Sequence, residues 1–428
     1  MECHIISIGN ELLIGDTVNT NASWLGQRLT ESGVDVTQVH TIRDELNTMK
    51  SVLQTALQQA DLVITTGGLG PTHDDITKKA IAELLGCELV VDQDILSFIK
   101  NIFEKRGIPF SKSNYHQAEV PECCEVLFNT QGTAPGLWYN GEQAALGVLP
   151  GVPFEMKHLT NNKLLPKINS ISGDRRYRFS HYLTTAGIGE STLSDEVIGD
   201  LSSLLNDNVE VAYLPSPQGA RIRVSGYGRS QDKINERLNP VLDHIRDKAG
   251  TFIIGEGKDC SLSAEVGKVL QNQKLTMAAA ESCTGGYIAN AVTDIPGSSD
   301  YFVGSVTAYA NAVKIKELGV SKEVIETNGA VSKEVALKMA KGAAQELNAD
   351  IGISTTGIAG PGGGSKEKPV GTIWIGFWAQ NQHFALQALF TNKRLINKER
   401  SAAVALETIR RSILDISEMP YGLKKHSA

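Results

Sequence analysis

The residues best suited to chemistry in this 428-residue chain fall in two places. The first is Glu281-Ser282-Cys283-Thr284-Gly285-Gly286, which follows the small apolar run Met277 to Ala280 and opens a helix-like stretch to Val292. A hydroxyl set between a strand end and a helix start is exposed, and unpaired N–H groups there favour an anion or a developing oxyanion. Gly285 and Gly286 let the backbone approach a ligand. The segment reads as an active-site turn with Ser282 as nucleophile. By chemistry alone Cys283 competes, since a thiolate is the stronger nucleophile, and an ordinary turn capped by Ser282 or Thr284 fits the same letters. A serine without a histidine is activated by a lysine desolvated enough to be neutral. Tyr309 and Lys314 sit five apart across a strand-to-helix junction and can face one site, although a lone lysine at a helix start is ordinarily solvated surface. Arg394, ahead of the last helix, suits a bidentate phosphate clamp and equally a surface position.

The second place is Thr65 to Ala80. Gly67, Gly68 and Gly70 form a loop whose amides can cradle phosphate, and Pro71 stiffens its exit. Asp74 and Asp75 then open a helix. Adjacent carboxylates beside such a loop suggest a divalent metal ion shared with the phosphates, whereas acidic N-capping is the plain alternative.

The elements that position these residues alternate. Cys3 to Ile8 reads as a buried strand, and Gly9-Asn10-Glu11 opens a loop to Asn21. A helix carrying Trp24, Leu25 and Leu29 stops at Gly33, and Val34 to Ile42 is a strand. A helix through Met49, Leu53 and Leu57 precedes the strand Asp61 to Thr65. This is the pattern of a mostly parallel sheet with helices on both faces, whose ligands bind beyond the carboxyl ends of the strands. From about Asn169 to Asp259 the texture changes to strands (Arg175 to Thr185, Ala220 to Tyr227) and helices (Thr192 to Leu205, Gln231 to Lys248). Gly187-Ile188-Gly189 is similar to the loop of a KH-like module. It lacks paired basic residues, so a small α+β spacer or dimerisation domain fits better than RNA binding. In the last third, strands are expected at Lys274 to Ala280, Phe302 to Ala310 and Ile351 to Thr355, with a hairpin from Thr372 to Phe390. The loop Thr355 to Thr372 is rich enough in glycine to wrap a ligand.

Composition narrows the function classes. Lys and Arg number 41 against 48 Asp and Glu, a net charge of −7 with no basic block, which argues against nucleic acid as the main substrate. The six cysteines form no CxxC pair and have no histidine-flanked spacing, so neither a zinc site nor a disulfide framework is expected. Residues 1–13 show no basic region followed by a long apolar run, and no window is long and apolar enough to span a bilayer. No membrane association and a reduced, cytoplasmic setting are therefore expected.

Two sets of motifs carry a family resemblance. Gly9 to Gly15, the run Gly67 to Thr77, Gly132 to Gly136 and Leu149 to Pro153 resemble the molybdopterin-binding fold family. Glu281 to Gly286, the Tyr309 and Lys314 pair, Asn328 to Ser332, the run Thr356 to Thr372 and Arg394 occur in the order of the CinA C-terminal domain. The whole chain resembles the CinA (competence/damage-inducible protein) family. The resemblance implies a multidomain α/β architecture: a molybdopterin-binding-like domain over 1–170, a small KH-like α+β domain over 171–258 and an amidase domain over 259–420. It implies hydrolysis of nicotinamide mononucleotide to nicotinic acid mononucleotide and ammonia, with Ser282 rather than Cys283 as nucleophile, Lys314 as base and Tyr309 positioning it or relaying the proton. Substrate contacts are implied for Thr284, Gly285, Gly286, Asn311, Gly329, Ala330, Thr356, Gly357, Ala359, Gly360 and Arg394. For the N-terminal domain it implies a metal-dependent ADP-ribose pyrophosphatase, with Asp74 and Asp75 on a divalent ion and Asn10, Gly67, Gly68, Gly70 and Thr72 on the nucleotide. No cofactor is expected in the amidase domain, and a homodimer is expected. Ala310, Ala312 and Lys393 depart from the family pattern, the first two standing where polar residues are common and the last where an acid is frequent. A non-catalytic, competence-linked nucleotide-binding protein is the alternative from another class; it has no need of both Ser282 and Lys314.

Overall fold

Short continuous apolar runs, separated by amphipathic stretches, build the first sheet of the computed structural model, which describes residues 1–70, 75–107, 109–171, 177–206 and 208–427. Its strands are β1 (Glu2–Ile8), β2 (Asp35–Ile42), β3 (Leu62–Thr66), then, past the short β4 (Leu89–Val91) and β5 (Glu119–Pro121), β6 (Glu125–Leu127), β7 (Gly136–Asn140) and β8 (Ala145–Leu149). The order is β2-β1-β3-β8-β7-β6, parallel from β2 to β8 and antiparallel at β7 and β6. Alternation along β1 sends Cys3 and Ile5 to the face covered by helix Thr20–Glu31, and Ile6 and Ile8 to the face covered by helix Leu46–Gln59. The central strands β3 and β8 are buried at every residue, as parallel strands between two helical layers must be.

Cys87 and Cys123 are joined by a disulfide, which the cysteine spacing had not led us to expect. The antiparallel pairing of Leu89 with Pro121 explains it. Continued two residues outward, that register sets Cys87 opposite Cys123, although 36 residues separate them in sequence.

The chain divides into two compact units, Met1–Phe179 with Tyr227–Ile234, and Ser180–Gly226 with Asn235–Ala428. The middle segment forms the sheet β10-β11-β9-β12 from β9 (Tyr177–Thr185), β10 (Val209–Ser216), β11 (Gly219–Gly228) and β12 (Ile253–Glu256), with helix Gln231–Ala249. The helix expected from Thr192 to Leu205 is shorter: a π-helical stretch, Thr192–Ile198, ends at Gly199, whose φ of +73° leaves the helical region.

The C-terminal sheet comprises β13 (Met277–Glu281), β14 (Phe302–Thr307), β15 (Ile351–Gly357), β16 (Thr372–Ala379), β17 (Gln382–Leu389) and β18 (Lys425–Ser427), in the order β14-β13-β15-β16-β17-β18. The first three strands are parallel and the rest antiparallel, with β16 and β17 as the expected hairpin. Ala278 and Ala280 pack towards helix Lys333–Glu346, while Met277 and Ala279 pack towards helix Arg394–Ile413. That last helix also carries a buried ion group: Arg410 and Arg411 both bind Glu407. Their guanidinium groups reach the carbonyls of Thr251 (3.1 Å) and Ala186 (3.4 Å), which ties the middle segment to the helix.

Candidate active site

Glu281, the last residue of β13, pairs with Thr307 of β14 on one side and Thr355 of β15 on the other. The carboxyl ends of three parallel strands are thus side by side, and the turns leaving them converge, the usual ligand position in such sheets. A cavity of 190 Å³ opens there. Ser282 and Cys283 come to it from the first turn, and Tyr309, Asn311 and Lys314 from the second. Ala330, Thr356, Gly357, Ala359 and Arg394 complete most of the wall.

Ser282 is held by its backbone, whose N–H donates to the Thr355 carbonyl at 2.9 Å. Its side chain borders the cavity, and the residue is otherwise buried. Lys314 is only 1% exposed, an unusual place for an ammonium. Its Nζ donates to the carbonyls of Ala308 (2.8 Å) and Tyr309 (3.2 Å), and no carboxylate pairs with it among the described residues. Burial therefore holds its pKa below the ordinary lysine value, with Cys283 acting weakly in the opposite sense. A neutral amine has two N–H bonds and one lone pair, so two carbonyl acceptors satisfy its donors and leave the lone pair for a proton. Burial pushes the Cys283 thiol up to about 12, so it is no thiolate near neutrality.

Tyr309 meets Lys314 through its backbone. Its carbonyl holds Lys314, while its exposed hydroxyl accepts from Arg394 Nη2 at 3.0 Å. Arg394 Nη1 donates to the Gly360 carbonyl at 2.9 Å, and no carboxylate pairs with the guanidinium among the described residues. It stays charged beside the cavity.

The turn after β13 differs from the expectation in that neither Thr284 nor Gly286 lines the cavity. The Gly286 N–H does not face the cavity; it donates to Glu281 Oε2 at 3.0 Å. The N–H groups of Ile288 (3.0 Å) and Ala289 (2.9 Å) also donate to the Glu281 carboxylate, as does the Ser305 hydroxyl at 3.2 Å. Glu281 is fully buried, so the first turn of the following helix is satisfied from within. Thr284 is likewise internal, its hydroxyl paired with that of Thr355 at 2.7 Å. Gly285 turns at φ +60° with Lys398 Nζ nearby, a place where a side chain would be strained.

Two further residues escaped the sequence reading. Asn397 is fully buried and ties the glycine-rich loop down, donating to Ala359 O (2.9 Å) and Thr391 O (2.8 Å) while accepting from Thr391 N–H and hydroxyl. Lys368 Nζ bridges the same loop to the turn before helix Lys333–Glu346 through the carbonyls of Asn328 (2.9 Å) and Val331 (2.8 Å). Gly329 lies against that ammonium rather than on the cavity wall. Thr356 fixes the wall from its side, donating to Ala330 O at 2.7 Å.

In the N-terminal unit, the loop after β3 has Gly67 at φ +113°, where a Cβ would collide with the Ile8 carbonyl. Gly68 turns at φ +65°. The Asp75 carboxylate lies against Gly70, while Thr72 and Asp74 lie outside the described residues. Asn10 is exposed and donates its N–H to Asp44 at 3.2 Å. A cavity of 150 Å³ beyond β1 and β3 is bordered by Glu11, Asn19, Asn21, Thr66 and Gly151. Hard carboxylate oxygens suit a divalent ion, but no group of three or more such ligands occurs among the described residues. Lys78, unremarked in the sequence, is buried at the base of this region; burial lowers its pKa to about 8, against Glu119 and Asp75.

Family models match three stretches: the CinA C-terminal domain over residues 259–413, a probable molybdopterin binding domain over 4–170, and the damage-inducible protein CinA KH domain over 180–255. A CinA-like protein of Salinibacter ruber is 44% identical over 96% of this chain and 100% of its own length. A putative competence-damage inducible protein of Halothermothrix orenii is 43% identical over 88% of this chain and 90% of its own. A crystal structure of the protein CinA from Thermoplasma acidophilum, described as of unknown function, is 36% identical over 40% of this chain and 96% of that one, with a TM-score of 0.35.

Proposed function

The chain belongs to the CinA family, and from that premise we propose that its C-terminal site hydrolyses the carboxamide of nicotinamide mononucleotide. One observation carries this reading. A serine hydroxyl and a buried lysine with no carboxylate partner among the described residues border one small cavity, with a charged arginine at its rim. Ser282 Oγ attacks the carboxamide carbon while Lys314 Nζ takes its proton. The tetrahedral intermediate collapses as Lys314 returns that proton to the leaving nitrogen, and ammonia departs. Water then attacks the acyl-serine, Lys314 again moving the proton, to release nicotinic acid mononucleotide. Arg394 supplies the positive charge that a 5′-phosphate needs. The purified protein is expected to release ammonia and nicotinic acid mononucleotide in equal amounts from nicotinamide mononucleotide; no release rejects the reading.

For the N-terminal unit the loop of Gly67, Gly68 and Gly70, with the Asp75 carboxylate against Gly70, supports a diphosphate site, and we propose cleavage of ADP-ribose there. A divalent ion held through Asp75 would neutralise diphosphate charge when bound. Cleavage of ADP-ribose that is abolished by a chelator tests this; chelator-resistant cleavage, or none, contradicts it.

A further inference from the structure

The larger cavity of the second unit is not the one just described. It has a volume of 520 Å³ and lies where the β10–β11 turn of the middle segment meets helices Tyr287–Thr293 and Arg394–Ile413. That volume suits a mononucleotide-sized molecule, where an amino acid would leave most of it wet. Its walls carry two opposite charges that do not neutralise each other. Arg221 makes its hydrogen bond to the Cys260 carbonyl at 3.3 Å and has no carboxylate partner among the described residues. The Glu399 carboxylate accepts from the Tyr287 hydroxyl at 2.9 Å and has no cationic partner among them. The remaining wall is apolar on one side, from Leu214, Pro215 and Leu406.

Both side chains are half-buried and neither meets an opposite charge among the described residues, so a ligand in the cavity that offers a complementary group to each gains two charge-assisted contacts. Arg221 calls for an anionic group of phosphate type, Glu399 for hydroxyl or amino donors, and the leucine wall for a flat apolar ring. A nucleoside monophosphate combines these three features on one skeleton of the right size. We propose that this cavity is a second nucleotide site, separate from the Ser282 cavity. The helix bearing Tyr287 leaves the Ser282 turn and the helix bearing Glu399 begins at Arg394, so an occupant rests on both supports of the candidate active site.

The test is calorimetric titration of the full-length protein with adenosine 5′-monophosphate. It measures binding without turnover, so failure of the amidase reading leaves it intact. The Arg221→Ala and Glu399→Gln variants are expected to weaken the wild-type binding component at least about tenfold, one charge-assisted contact each. Ala291→Trp, which fills the cavity from a half-buried position, is expected to remove it. Arg394→Ala, at the other cavity, is expected to leave it within about twofold. Should Ala291→Trp fail to fold, the two charge variants decide alone. Absence of binding, or binding indifferent to Arg221→Ala and Glu399→Gln, overturns the proposal.

Discussion

Replacing Glu281 with glutamine probes the element on which the active-site turn depends. The carboxylate receives Gly286 and Ile288 N–H on Oε2, and Ala289 N–H and the Ser305 hydroxyl on Oε1. Glutamine keeps one oxygen. Its best orientation retains the Gly286 and Ile288 bonds and lets the Ser305 hydroxyl reverse to accept. Its NH₂ then confronts the Ala289 N–H, donor against donor. One charge-assisted bond is lost, ~1.5–3 kcal/mol, and a buried donor is left unsatisfied, ~1–3 kcal/mol. A total of about 2.5–6 kcal/mol corresponds to a factor of about 70 or more in the local opening equilibrium. Hydrogen exchange of the peptide covering residues 282–293 is the direct readout, with protection at Ala289 expected to fall by at least that factor. Ammonia release should fall with it, because the Ser282 turn loses its anchor. Unchanged protection in Glu281→Gln would refute the claim that this carboxylate holds the turn.

Other outcomes are as definite. Burial lowers the Lys314 pKa, so the neutral base exists above that value and is lost below it; kcat/KM should fall about tenfold per pH unit on the acid side, and Lys314→Arg should be nearly inactive at every working pH. Asn397→Leu removes the four hydrogen bonds that tie Thr391 and Ala359, and steady-state kinetics should show KM raised about tenfold with kcat much less changed, since the loop it holds borders the substrate rather than the reacting atoms. Asp75→Asn should abolish metal-dependent ADP-ribose cleavage and leave ammonia release near wild type; loss of both in a folded protein would show the two sites to be coupled.

Much of this arrangement was legible in the letters because it is periodic or punctuated. The buried run Cys3 to Ile8, the alternation along Val34 to Ile42 and the glycines after Thr66 locate the first sheet and its loop. The small residues before Ser282 place it at a strand end, and the junction before Lys314 places it in the first turn of the helix that follows another strand, where the structure gathers the two. What stayed hidden is tertiary. Glu281 ends an apolar strand and looks like a polar boundary, yet it points inward to cap a helix that begins six residues later. Asn397 reads as one more polar residue of an amphipathic helix, and nothing local shows that it faces a loop. The Cys87–Cys123 pairing depends on a register between two three-residue strands too short to be seen in sequence. Gly199 was the visible signal that the Thr192 helix stops early.

The central claim is that Ser282, served by Lys314, is the nucleophile of an amidase, with Cys283 a buried thiol beside it. The most direct measurement is ammonia release from nicotinamide mononucleotide by Ser282→Ala and Cys283→Ala proteins assayed beside the wild type. Ser282→Ala is expected to lose activity at least about a thousandfold, while Cys283→Ala keeps most of it. Activity retained by Ser282→Ala and lost by Cys283→Ala would contradict the account.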